Sequence, residues 1–124
     1  MAVAAALAAA GPAAAQGASQ PDSLTPAMIA EGKRIFEGKT GGALCFTCHG
    51  PAAKGVPGVG PDLTDARWLH GDGSLAFLET LIKAGVPKPK QSAAPMLPMG
   101  GAALKADQLK AVAAYVWSLS HPAK

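Results

Sequence analysis

The 124-residue chain is poor in several things, and each shortage narrows what it can be. Cysteine occurs only twice, at positions 45 and 48, so no disulfide framework can hold the fold together. A bridge between these two would close a loop too short to restrict the unfolded chain much, which leaves room for a chemical role. Aromatic residues make up 5% of the chain and charged residues 15%, and no basic run interleaves with aromatics. That pattern argues against nucleic-acid binding. The formal charge of +3 is mild, enough to permit a preference for an acidic partner surface. No segment alternates apolar and polar residues like a half-buried strand, and no apolar run is long enough for a membrane span in the mature protein.

Charge is also missing from the first twenty residues, MAVAAALAAAGPAAAQGASQ. Residues 2–10 read as the apolar core of an export signal, and Ala13-Ala14-Ala15 before Gln16 offers a small-residue cleavage site near Ala15. The basic start of such a signal is not in the sequence. The expected layout is a signal peptide over 1–15, a flexible lead-in over 16–24 and one domain over 25–124. A soluble protein exported to the periplasm follows from that layout.

The domain reads as helices separated by long glycine- and proline-rich loops. Thr25-Pro26 is a helix start, a hydroxyl cap followed by proline at the first helical position. Met28, Ile29, Ile35 and Phe36 follow at helical spacing, and Gly38 is the stop. A helical turn holds Cys45 to His49, and GPAAKGVPGVGPD over 50–62 is too rich in breakers for any regular element. A third helix is predicted from about Ser74 to Ala84, ended by Gly85, with Leu75, Leu78, Leu81 and Ile82 on one face. The loop VPKPKQSAAPMLPMGG over 86–101 precedes a last helix from about Ala106 to Leu119, striped by Leu109, Val112, Ala113 and Val116. An alanine-rich chain of this length buries little surface per residue, so a large apolar cofactor would supply the missing core.

LCFTCHG over 44–50 indicates which cofactor. Cys-x-x-Cys-His is the pattern for covalent attachment of c-type haem. Two thiols on one helical turn can add to two vinyl groups on one porphyrin edge, and His49 then stands over the iron. A thioredoxin-like dithiol needs a strand–helix context that this sequence lacks, and a zinc site needs further ligands. The remaining histidines, His70 and His121, are isolated and read as solvent-exposed.

With these motifs in order, residues 27–120 resemble the class I cytochromes c, monohaem electron carriers. AEGKRIFEG resembles the first helix of that family, with Gly32 and Phe36 facing the last helix; VAAYVWSL resembles the last helix, with Val112 and Tyr115 meeting them. The resemblance implies an all-α fold of three to four helices around one covalently bound haem c. GPDL at 60–63 matches the segment in which a proline carbonyl, here that of Pro61, accepts a hydrogen bond from the ligand histidine, and Leu63 packs on the haem. In PMLPMGG the alignment of Gly100-Gly101 gives Met96 as the second iron ligand, with Met99 as the alternative. Two features depart from the family: Lys39–Leu44 must loop out ahead of Cys45, and Lys105 stands where a hydroxyl cap is usual.

The implied function is one-electron transfer in a periplasmic chain, outer-sphere through the exposed haem edge, with no enzymatic step. The alternatives are a haem c subunit accepting electrons within a periplasmic dehydrogenase complex, or a gas-binding or catalytic haem protein with a displaceable methionine. Expected partners are redox proteins, namely a terminal oxidase, a photosynthetic centre or a dehydrogenase, met by a monomer or a complex subunit. Lys39, Lys54, Lys88 and Lys90 would steer the chain to an acidic patch. Trp68 is a candidate donor to a haem propionate or a plain core aromatic.

Overall fold

The computed structural model describes residues 24–121, so the expected signal peptide and most of the lead-in lie outside the described residues. Four α-helices follow one another: α1 (Pro26–Phe36), α2 (Cys45–His49), α3 (Leu75–Ala84) and α4 (Ala106–Leu119), with a 3-10 turn at Pro98–Gly101 before the last. Among the described residues the only β pairing is two isolated bridges, Val56 with Gly60 and Val86 with Met96. The described residues form the expected all-α fold.

Each helix starts for a local reason. Thr25 accepts from the Met28 N–H at 3.1 Å and Ser74 accepts from Phe77 at 3.2 Å, so α1 and α3 each begin on a hydroxyl cap. At α4 the missing hydroxyl is made good from inside the helix. The Gln108 side chain accepts the Lys105 N–H at 2.9 Å, which is the returning half of a capping box. Gly85 ends α3 at φ 71°, a conformation that favours glycine.

Helices α1 and α4 pack so closely that a Cβ added at Gly32 would lie 1.9 Å from the Ala111 carbonyl oxygen and 2.8 Å from Tyr115 Cβ. Only glycine permits this approach, which explains its presence inside a helix despite a cost of about 1 kcal/mol. The Phe36 and Tyr115 rings meet edge to face at 5.4 Å. Gly32 therefore rests on Ala111 and Tyr115 rather than on Val112, which turns toward the interior hollow described below. The buried stretch of α4 is also wider than the predicted stripe, since every residue from Ala111 to Trp117 is buried. Leu109 is only partly so.

The inserted stretch before α2 is anchored at both ends. Lys39 N–H donates to the Arg34 carbonyl at 2.9 Å, and Leu44 N–H donates to the Gly100 carbonyl at 3.0 Å. Glu37 pairs with both Lys33 and Lys39. No helix among the described residues is long and apolar enough to cross a membrane.

Candidate functional site

Between α2, α3, α4 and the two long loops lies a hollow of about 370 Å³. Its apolar wall includes Leu78 and Ile82 from α3 and Val112 and Val116 from α4. Cys45, Cys48 and His49 line it from α2, Pro61 and Leu63 from the loop after α2, and Met96 from the loop before α4. Six residues singled out by sequence thus border one space. Met99 does not border it; the residue lies in the 3-10 turn at φ 53° and packs against the core.

The imidazole of His49 is 8% exposed, and burial lowers its pKa below 6.5, partly offset by its hydrogen bond to Pro61. Nδ1 lies 3.0 Å from the Pro61 carbonyl oxygen. That carbonyl can only accept, so Nδ1 carries the proton and Nε2 keeps the lone pair, the tautomer a metal ligand requires. The Phe36 ring lies beside it, centroids 6.3 Å apart. Both thiols are half-buried and unbridged, and burial raises the pKa of Cys45.

Backbone pairing places the methionine. Val86 and Met96 exchange two hydrogen bonds, both 2.9 Å, so the proline-rich loop is closed into a ribbon at the hollow instead of running free. A Cβ at Gly100 would sit 3.1 Å from Cys45 Sγ, which shows how closely this loop abuts α2. Leu44 and Leu97, 54% and 56% exposed, line the hollow where it meets the surface.

The donor set decides what can fill this space. Two thiols one helical turn apart, a neutral imidazole and a thioether surround an apolar hollow whose volume is in the range of cofactor pockets. Soft sulfur with imidazole suits iron, and the apolar wall suits a porphyrin. Among the described residues no group of three or more His, Cys, Asp and Glu side chains is arranged to hold a metal ion, so the zinc alternative lacks its ligands. The residues present fit haem c.

Two histidines differ from expectation because neither is simply solvated. His70 lines the hollow, its Nε2 3.4 Å from the Lys90 N–H. His121 stacks on Trp117, centroids 3.9 Å apart, and its Nδ1 lies 2.8 Å from the Trp117 carbonyl oxygen, closing the end of α4. Trp68 lines the hollow and backs onto Gly73, where a Cβ would lie 2.2 Å from its indole nitrogen. Of the four lysines expected to steer a partner, Lys39 is held by Glu37 at 2.8 Å and Lys54 donates to Thr64 at 2.9 Å.

The protein-family model for cytochrome c matches residues 29–120. The chain is 38% identical over 84 residues to the cbb3-type cytochrome c oxidase subunit CcoP of Rubrivivax gelatinosus, covering 67% of this chain and 25% of that protein. It is 35% identical over 91 residues to the FixP subunit of the corresponding oxidase of Bradyrhizobium diazoefficiens, covering 73% and 27%. With CcoP of Rhodobacter capsulatus the identity is 40% over 80 residues, covering 60% and 25%. The chain therefore spans about a quarter of the length of these relatives.

Proposed function

Because the chain belongs to the cytochrome c family, we propose that it is a one-electron carrier, exported to the periplasm, with one haem c in the hollow. Cys45 and Cys48 would hold the group covalently, and His49 and Met96 would bind its iron. When bound, haem c supplies a one-electron iron couple. The chain's residues do the rest. The Pro61 carbonyl fixes the His49 ring and strengthens it as a donor. Leu63, Leu78, Ile82, Val112 and Val116 keep water from the site. With His49 and Met96 both serving as ligands the iron would offer no open position to a substrate, as suits a carrier.

The observation that carries this reading is the convergence of Cys45, Cys48, His49 and Met96 on one apolar hollow. The partner we propose is a terminal oxidase, a reading supported by relatives that are subunits of cbb3-type cytochrome c oxidases. Lys88, Lys90 and the other loop lysines steer the encounter with an acidic surface, so its rate falls as salt rises.

Carbon monoxide separates this function from a gas-binding one. Added to the reduced protein at neutral pH, it leaves the spectrum of a His/Met-ligated carrier nearly unchanged. Rapid, stoichiometric binding would instead identify a displaceable methionine and a sensor or catalyst.

A further inference from the structure

The hydrogen bond from His49 to Pro61 is only as good as the orientation of the Pro61 carbonyl. Proline has no N–H, so the chain entering that carbonyl lacks one anchor and its neighbours must supply others. On one side Val56 and Gly60 exchange hydrogen bonds of 2.9 and 3.0 Å. On the other, Leu63 N–H donates to the Ala53 carbonyl at 2.9 Å. Between them Asp62 folds into a tight turn, its Oδ1 accepting from Thr64 N–H at 2.7 Å and from Thr64 Oγ1 at 2.6 Å. Lys54 reaches across from the other limb of the loop and donates to the same Thr64 hydroxyl at 2.9 Å. The space beneath is closed, for a Cβ at Gly55 would lie 2.7 Å from Asp62 N and 2.8 Å from the Pro61 carbonyl carbon.

We propose that Asp62, Thr64 and Lys54 are positioning residues that brace the Pro61 carbonyl against His49 Nδ1 and so set how strongly His49 binds iron. The inference rests on the reading of His49 as an iron ligand. Lys54 and Thr64 do not border the hollow; each of the three residues acts through the peptide that His49 leans on. The Thr64 hydroxyl is the hinge of the arrangement, since it donates to Asp62 and accepts from Lys54 at once. The hydrogen bonds and the neighbouring ammonium of Lys54 hold the Asp62 carboxyl below its ordinary pKa, so it stays an acceptor at neutral pH.

The test uses the haem-loaded protein and two readouts, solvent exchange of the His49 Nδ1 proton by NMR and the midpoint potential. Asp62→Ala removes both bonds to Thr64, and Thr64→Val removes the hydroxyl while keeping its shape. Loss of one such bond is expected to speed Nδ1 proton exchange by about five- to tenfold. The potential moves upward in parallel, because a less polarised imidazole favours iron(III) less. Thr64→Ser restores both readouts, and Lys54→Met gives the smallest change. Should Asp62→Ala prove too unstable to mature, the Thr64→Val and Thr64→Ser pair carries the test. Variants that melt earlier yet keep parental exchange and potential would overturn the brace alone. A parent protein whose His49 signals carry no haem-induced shift would overturn the functional reading, and the brace with it.

Discussion

Toward α1, helix α4 presents Ala111 and Tyr115, and a single added carbon at Gly32 would lie 1.9 Å from a backbone oxygen. Toward α3, the same helix presents Val112 and Val116 to a hollow of about 370 Å³. The first face is complete as the chain makes it, because helix meets helix with no space between. The second is apolar, lined by loops, and held in shape by hydrogen bonds such as those between Val86 and Met96. An apolar wall of that extent gains contact energy only against an apolar occupant, so this half of the molecule suits a large cofactor. The contrast explains why so small a chain with so few large side chains folds around a prosthetic group.

The largest effect should come from denying the hollow its occupant. Cys45→Ala with Cys48→Ala, expressed so that no haem is attached, should lose about half or more of its helical circular dichroism and its cooperative melting transition. A sharp, haem-independent transition would show that the second face supports itself. Next in size is damage to the packed face. Gly32→Ala in the haem-loaded protein should cost about 3 kcal/mol in urea titration, because the obstacle is backbone rather than a movable side chain.

Met96→Ala and Met99→Ala sharpen the comparison within the loop. Removing Met96 should let carbon monoxide bind the reduced protein readily, while Met99→Ala, which alters packing outside the hollow, should leave the protein closed to it. The reverse result would exchange the two roles. The smallest effect belongs to the surface beside the crossing, where Lys33 and Lys39 lower the pKa of Glu37 below 4.5. A carboxylate with a depressed folded pKa adds stability above its unfolded value and loses it as pH falls through the folded one. The parent should therefore lose stability slightly more steeply below about pH 4.5 than Glu37→Gln does, read as melting temperature against pH.

The helices were legible because their signals are local. Thr25-Pro26, Ser74 and Gly85 mark ends through backbone chemistry that needs no tertiary partner, and all three fall where the chain turns. The grouping of Cys45, Cys48 and His49 was legible for the same reason, since the three share one helical turn. What sequence could not supply were contacts between distant segments. The ribbon between Val86 and Met96, the rotation that sets Gly32 on Ala111, and the stacking of His121 on Trp117 all depend on where elements come to rest. The Asp62–Thr64 turn is intermediate: an acidic residue two before a hydroxyl is a readable turn signal, but its link to Lys54 is not. The Gln108 cap was readable too, as a Gln at the third position of a helix, and was hidden only by the lysine ahead of it.

The most direct test is the intact mass of the exported protein after extraction with acidified organic solvent, followed by mapping of the peptide that spans residues 44–50. A single haem retained on that peptide, with neither sulfur free to alkylating reagent, is the predicted result. A colourless protein with two reactive thiols would contradict it.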